Sequence, residues 1–135
     1  ICDFLDQRHR GARMLPPSGE GRWEVLRDQA LADGILDCAV LVFVEVNKRP
    51  EEKRWDWWLE LKRRAIWRAL ESLEQRASDI EPRVDLGSIS IAVALAYLDL
   101  RGAVGEWRDT CPKLAAWFAV FSERPSMRAT APPPV

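Results

Sequence analysis

The chain is short of the residues that build metal centres and disulfide frameworks. It has a single histidine, His9, which excludes a histidine-rich metal site. Its three cysteines, Cys2, Cys38 and Cys111, are irregularly spaced and include no Cys-x-x-Cys pair. An odd number of cysteines without such a pair fits a reducing cytoplasm better than a disulfide-stabilised secreted protein. We therefore expect a cytoplasmic protein that holds no metal.

The chain also lacks the charge surplus and the long apolar run that two other classes of protein need. Its net charge is −1, whereas binding to nucleic acid phosphates requires a basic surplus. The basic, tryptophan-rich segment 48–68 could form a surface for nucleic acid, but the acidic excess in residues 71–85 offsets its positive charge. A solvated helix face is the interpretation that we favour. The longest apolar run, residues 38–46, contains Glu45 and is far shorter than the ~18 residues of a membrane span. We expect neither nucleic acid nor a membrane among the partners.

What the chain does have is helical periodicity, which is clearest in residues 23–47. Apolar side chains such as Leu26, Ile35 and Val42 recur there at the spacing of one helix face. The β-branched run 39–44 could instead form a buried strand, but its setting inside a long periodic segment favours a helix. We therefore predict one long amphipathic helix over this segment.

Three further helices are predicted after the first. Pro50 opens the second, which runs to about Ser78 and carries Trp55 on its buried side. Residues 90–100 are apolar on almost every side, which is typical of a central helix that its neighbours bury. Cys111-Pro112 begins the fourth helix. The sequence thus predicts an all-α bundle of two long antiparallel helices, a buried central helix and a shorter packing helix.

The start of the chain indicates how it is divided into domains. Ile1, Phe4 and Leu5 have the spacing of one helix face, in a turn too short to be stable alone. The segment that follows contains Pro16-Pro17 and three glycines, which is typical of a linker. We therefore expect a remnant of another domain's helix, an interdomain linker, an all-helical domain and a disordered tail, at residues 1–8, 9–22, 23–131 and 132–135.

Three segments together resemble the C-terminal helical domain of bacterial cytosolic glutathione transferases. The opening, residues 1–6 (ICDFLD), is similar to the last helix of that family's thioredoxin-like domain, and a proline-containing linker follows it. Residues 32–37 (ADGILD) match part of the family's first long helix. The third segment comprises residues 87–92 (GSISIA), the pattern Trp107…Pro112-x-Leu114-x-x-Trp117, and residues 124–126. The resemblance covers essentially the whole chain.

The resemblance implies a homodimeric enzyme in which glutathione is a co-substrate. Its thiolate attacks a small hydrophobic electrophile, because the thiolate and not the thiol is the nucleophile. The residue that stabilises the thiolate lies in the family's thioredoxin-like domain, so we expect no catalytic residue in this chain. The helical part forms the wall of the electrophile pocket and part of the dimer interface. The alternative is a non-catalytic helical module of the same fold that serves protein–protein assembly.

The resemblance also implies roles for four residues of the first long helix. In related enzymes an aspartate at the position of Asp37 reaches across the dimer to the amino group of glutathione, and Asp33 lies one turn earlier. Residues that match Phe43 and Asn47 line the hydrophobic substrate pocket in some classes. From the residues alone, the two acids could equally be solvated or pair with a local base such as Arg27, and Phe43 could belong to the core.

The chain departs from the family's pattern at the start of the central helix. That helix commonly begins with a capping box, in which a Ser or Thr is followed three residues later by an Asp. Ser90 fits the first position here, but Val93 occupies the place of the acid. We therefore expect this box to be missing and another group to cover the free backbone amide.

Cys111 has two interpretations. A thiol at the start of a helix can have a lowered pKa and act in redox chemistry. A buried, unreactive cysteine is the interpretation that we favour, because free cysteines are among the most buried residues in proteins.

The first prediction follows from the expectation that the catalytic residue lies outside this chain. Residues 1–135 alone, incubated with glutathione and 1-chloro-2,4-dinitrobenzene, should give no conjugate above the uncatalysed rate, because the group that stabilises the thiolate lies elsewhere. Absorbance of the conjugate measures the rate. A rate well above background would place the catalytic group in this chain.

Overall fold

The computed structural model describes residues 1–132, and over these residues every regular element is helical. The elements in chain order are α1 (Cys2–Asp6), α2 (Glu20–Lys48), a 3-10 turn (Glu51–Lys53), α3 (Asp56–Gln75), α4 (Ala77–Ile80), α5 (Leu86–Arg101), α6 (Trp107–Thr110), α7 (Pro112–Phe121) and α8 (Pro125–Ala129). The predicted all-α class is confirmed, and residues 39–44 are helical. The predicted disordered tail falls mostly on residues 133–135, which lie outside the described residues.

The second predicted helix is divided in the structure. Pro50 precedes only a 3-10 turn, and the long helix α3 begins at Asp56 and ends at Gln75, with α4 following as a separate short helix. Trp55, predicted on the buried side, is 59% exposed and packs against Trp57, with ring centroids 5.3 Å apart. The prediction failed there because the 3-10 turn changes the direction of the helical stripe before α3 starts.

Helix α5 is the central element of the bundle, as the sequence predicted. It packs most extensively against α2, and α2 packs next most against α3. Four of its apolar side chains are completely buried, at 0% exposure: Ile91, Ala92, Ala94 and Leu95. Their burial stabilises the bundle, at about 25 cal/mol per Å² of apolar surface removed from water. The helix ends at Gly102, whose φ of 59° is the left-handed cap that favours glycine.

The N-terminal halves of α2 and α5 approach each other closely at Gly87. A Cβ added to Gly87 would lie 3.0 Å from the Cβ of Asp28 and 3.0 Å from the carbonyl oxygen of Val25. Such distances leave no room for a side chain, so glycine is the residue that permits this contact. Further along the same two helices, Arg101 lies against Phe43, so α2 and α5 run in the same direction.

The capping box predicted to be missing is present in a different form. Asp85 is the N-cap of α5, its carboxylate accepts a hydrogen bond from the backbone N–H of Ser88 at 2.8 Å, and the Ser88 hydroxyl accepts one from the backbone N–H of Asp85 at 2.9 Å. The helix therefore begins at Leu86, and Ser90 and Val93 lie inside it. Ser90 as the N-cap was therefore wrong, because the acid Asp85 and the hydroxyl of Ser88 form the box five residues before Ser90 and Val93. The expectation that another group covers the free backbone amide is confirmed, since the Ser88 hydroxyl does so.

Three other carboxylates accept hydrogen bonds from backbone N–H groups of a different segment of the chain. Glu45, buried in α2, accepts a hydrogen bond from the backbone N–H of Trp55 just before α3. Glu74 of α3 accepts bonds from the backbone N–H groups of Lys113 and Leu114 in the first turn of α7. Asp6 of α1 likewise accepts hydrogen bonds from the backbone N–H groups of Met14 and Leu15 in the segment that follows α1. Each bond satisfies a backbone donor that has no partner within its own helix or turn.

Asp28 is completely buried in α2 and holds three segments together. Arg76 after α3 donates a hydrogen bond to it at 2.7 Å, and Arg83 before α5 donates another. Arg27 adds a longer contact at 3.3 Å. Burial on its own would raise the pKa of Asp28, but the hydrogen bonds and positive charges of Arg83 and Arg76 outweigh it and hold that pKa below its usual value.

The second prediction concerns this buried carboxylate. Asp28→Asn should lower the free energy of unfolding by about 3 kcal/mol at pH 7, because it leaves two partly buried guanidinium groups without a charged partner. The folded pKa lies below the unfolded one, so the stabilisation is present above about pH 4 and is lost as the pH falls through the folded pKa. Urea unfolding at pH 7 and at pH 3 measures both effects.

Asp79→Asn is the matched control, since Asp79 is an exposed acid in α4. It should change the unfolding free energy by less than about 0.5 kcal/mol. An Asp28→Asn variant as stable as the control at pH 7 would contradict this role for the buried carboxylate.

Candidate functional site

Asp33 and Asp37 lie one turn apart on the outward face of α2. Both are exposed, and within the described residues neither forms an ion pair, so the alternative of a local pair with Arg27 is not realised. Arg27 is instead directed at Asp28. The two carboxylates are therefore free to bind a cation from outside this chain.

Apolar side chains continue the same face of α2 beyond Asp37. Val40, Leu41 and Val44 are 41%, 38% and 46% exposed, and they follow at the spacing of one side of a helix. We call these three residues the outer patch. An exposed aliphatic cluster beside unpaired carboxylates is typical of a surface that another protein covers.

Phe43 and Asn47 occupy the edge of α2 that faces α5. Phe43 is half-buried, and the guanidinium carbon of Arg101 lies 4.4 Å from the centre of its ring. Asn47 is exposed, and its side-chain amide donates a hydrogen bond to the carbonyl oxygen of Phe43 at 2.9 Å. The structure thus brings these two residues together, and it brings Asp33 and Asp37 together on an adjacent side of α2.

Arg101 and Tyr97 extend this edge onto α5, and neither residue was identified as a site residue from the sequence. Arg101 lies over the Phe43 ring and 5.3 Å from the centre of the Tyr97 ring. Tyr97 is the chain's single tyrosine, and it stands four residues before Arg101. The i, i+4 spacing of an aromatic and a cation on the central helix was the signal that could have identified them.

A cavity of about 300 Å³ adjoins Tyr97 on the outward side of α5. Helices α5, α7 and α8 form its walls, and its lining is mainly apolar, with Val93, Leu100, Phe118 and Met127 among its residues. Its volume is at the lower end of the range for small-molecule sites. We call the edge formed by Phe43, Arg101 and Tyr97 the aromatic edge. Because Tyr97 also lines the cavity, the aromatic edge and the cavity together form one candidate surface for a small hydrophobic ligand.

Cys111 is buried, at 1% exposure, and the structure supports the unreactive interpretation. Burial raises the pKa of its thiol, and the negative charges of Glu74 and Glu71 raise it further. A raised pKa lowers the fraction of reactive thiolate, in contrast to the lowered pKa that a redox role needs.

Two further kinds of site are not found in the part of the chain that the structure describes. No group of three or more His, Cys, Asp or Glu side chains could hold a metal ion there. None of the helices in residues 1–132 combines the length and the apolar character that crossing a bilayer requires.

Comparison with known proteins gives consistent results. The profile of the family described as Glutathione S-transferase, C-terminal domain, matches residues 57–119. The uncharacterized GST-like protein YibF of Escherichia coli (strain K12) is 32% identical over 136 residues, a match that covers 98% of this chain and 67% of that protein.

Solved structures are more similar still. A glutathione transferase family member from Pseudomonas fluorescens Pf-5, with bound S-(propanoic acid)-glutathione, is 47% identical with a TM-score of 0.94 over 98% of this chain and 68% of its own. A structure of a family member from the same organism with bound glutathione is 46% identical, with a TM-score of 0.95 over 98% and 65%. A glutathione S-transferase from Methylobacillus flagellatus KT with glutathione bound is 30% identical, with a TM-score of 0.89 over 97% and 66%.

This chain spans about two thirds of the length of these relatives. Within that span the likeness extends over nearly every residue, in sequence and in fold. The chain therefore belongs to the glutathione transferase family, and its helical bundle has the fold of that family's C-terminal domain.

Proposed function

We propose that the protein containing this chain conjugates glutathione to small hydrophobic electrophiles. The observation that carries the proposal is the match to the Pseudomonas fluorescens family members, at 46–47% identity, which hold glutathione or a glutathione conjugate. At that level of identity over almost the whole chain, a shared ligand is the simplest expectation. Glutathione is then the co-substrate, and a cytoplasmic location is part of the proposal, consistent with three cysteines that are all free thiols.

In the proposed reaction the glutathione thiolate forms a bond from sulfur to an electrophilic carbon. The group that stabilises the thiolate is assigned to a thioredoxin-like domain, in which the resemblance places it. The role of this chain is to supply one wall of the electrophile pocket. Phe43 and Asn47 at the edge of α2 are the proposed wall, and their position beside the aromatic surface of α5 supports it.

Asp37 is proposed to bind the amino group of glutathione held by the other subunit of a dimer. Its carboxylate is exposed in a single copy of the chain, so an ammonium group reaches it without displacing a resident arginine. A second copy that covers this face would remove water from the pair, which strengthens a charge-assisted hydrogen bond. Asp33, on the same face, is the proposed second acid.

The outer patch is proposed to form part of the homodimer interface. Its three aliphatic side chains lie directly beyond Asp37 on the same face of α2. A two-fold interface places the same patch of both copies in contact. This arrangement buries the patch and brings Asp37 to the boundary between the subunits.

The third prediction tests the role of Asp37 in the full-length protein. Asp37→Ala should raise KM for glutathione about tenfold, because a hydrogen bond between charged groups contributes about 1.5 kcal/mol or more. The KM for 1-chloro-2,4-dinitrobenzene should stay within a factor of two. Steady-state kinetics with each substrate varied in turn measures both constants.

Asp79→Ala, which removes an exposed acid from α4, is the control and should leave both constants unchanged. Equal increases in the two KM values for Asp37→Ala would remove the proposed role in glutathione binding. A wild-type protein that dimerises but conjugates nothing would favour the non-catalytic assembly module.

The fourth prediction tests the interface. The double variant Leu41→Glu with Val44→Glu should convert the homodimer to a monomer, because the two-fold axis places four added carboxylates in one buried surface. Light scattering after size-exclusion chromatography measures the mass. Val120→Glu changes a more exposed valine, at 76%, on α7 and should remain dimeric. A dimeric double variant would place the interface on another surface.

A further inference from the structure

Arg101 lies against two aromatic rings at the C-terminal end of α5. Its guanidinium carbon lies 4.4 Å from the Phe43 centroid and 5.3 Å from the Tyr97 centroid. Contacts of this kind fix the plane of the guanidinium group and reduce the rotamer entropy that binding would cost. The side chain is therefore preorganised, although it is only half-buried.

The positive charge of Arg101 is not neutralised within the described residues. It forms no ion pair there, and its Nε is buried without a hydrogen-bond acceptor. Buried polar atoms without a partner are uncommon and call for an explanation. Because Nε itself has no accessible surface, an acceptor from outside would bind the terminal Nη groups of this half-buried side chain.

Asp99, two residues before Arg101, and Glu45, two residues after Phe43 on α2, already have other partners. Asp99 of α5 accepts two hydrogen bonds from Arg108, at 2.7 and 2.6 Å, and a third from the indole N–H of Trp107. Glu45 of α2 is engaged by Arg49 at 2.8 Å and by a backbone N–H. Arg101 thus lies beside two aromatic rings, and neither of these two acids neutralises its charge.

We propose that Arg101 is a specificity-determining residue that binds a carboxylate carried by the electrophile or by its glutathione conjugate. A guanidinium group presents two parallel N–H donors, which match the two oxygens of a carboxylate. The apolar surroundings supplied by Phe43 and Tyr97 strengthen this pairing, because water competes less there. The preferred substrates are then hydrophobic electrophiles that bear a carboxylic acid.

This inference rests on the proposed function and specifies its substrate class. For an α,β-unsaturated acid, the thiolate sulfur bonds to the β-carbon, and the π-electron pair of the double bond moves to the α-carbon. That carbon then takes a proton from solvent. The product is the sum of glutathione and the acid, so no oxidant, reductant or leaving group is needed. In this step Arg101 holds the carboxylate and takes no part in proton transfer.

The fifth prediction compares two ligands that differ only in charge. S-(2-carboxyethyl)glutathione and its neutral amide are titrated by calorimetry into the full-length wild type and into Arg101→Gln. The dissociation constant of the acid should rise about tenfold in the variant, the equivalent of about 1.4 kcal/mol. That of the amide should stay within a factor of two. For the acid, the dissociation constant of Arg101→Lys should lie between those of the wild type and Arg101→Gln, because lysine keeps the charge but lacks the planar pair of donors.

Arg68→Gln, which removes an exposed arginine from α3, is the matched control and should bind both ligands as the wild type does. Equal affinity of the wild type for acid and amide, or equal losses for both in Arg101→Gln, would overturn the assignment. Thermal unfolding of each variant verifies that it is folded. If Arg101→Gln does not fold, the comparison is made with Arg101→Lys.

A kinetic measurement separates this inference from the function on which it rests. Turnover of 4-chloro-3-nitrobenzoate and of the uncharged 4-chloro-3-nitrobenzamide is measured with each variant. The variant Arg101→Gln should lose about tenfold in kcat/KM for the benzoate, mainly through KM, and keep its activity on the amide. Wild-type turnover of both compounds with no effect of the variant would refute only the role of Arg101. No turnover of any electrophile, despite selective binding of the acid, would refute only the conjugation reaction.

Discussion

The buried carboxylate of Asp28 is the interaction on which the geometry of the bundle depends. It lies in α2 against Gly87, at the point where α5 comes closest, and it binds Arg76 from the end of α3 and Arg83 from the approach to α5. One charged group therefore fixes the relative position of three helices. A buried carboxylate is tolerated only because these arginines compensate its lost hydration. The candidate site lies further along the same two helices, where Phe43 of α2 meets Arg101 of α5.

The same junction explains why the candidate site lies at the opposite ends of these helices. Because α2 and α5 run in the same direction from Asp28 and Gly87, their C-terminal ends remain side by side, and Phe43 meets Arg101 there. The first parts of both helices are used for packing and charge pairing. The later parts carry an aromatic edge, a cavity of about 300 Å³ and a half-buried guanidinium group that forms no ion pair within the described residues. The residues that pair charges in the fold thus lie near the start of the two helices, and the candidate binding residues lie near their C-terminal ends.

Much of the fold was predictable from the sequence, because apolar periodicity and proline position are local signals. They identified the all-α class, the central helix and the start of α7 at Pro112. Two features were missed because an acid in an apolar stripe is not recognisable as buried until its partners are known. Asp28 depends on arginines 48 and 55 residues away, and Glu45 depends on a backbone N–H ten residues away. The site was predictable only in its α2 half, since the pairing of Phe43 with Arg101 depends on the register of two helices.

In the proposed dimer the outward face of α2 is a shared surface, on which Asp37 of one protomer binds the glutathione held by its partner. A crystal structure of the full-length protein with glutathione is the most direct measurement. We expect a two-fold dimer in which the Asp37 carboxylate lies within hydrogen-bonding distance of the glutathione amino group in the other subunit. An Asp37 side chain that faces solvent in such a dimer, with the glutathione amino group bound by other residues, would contradict it.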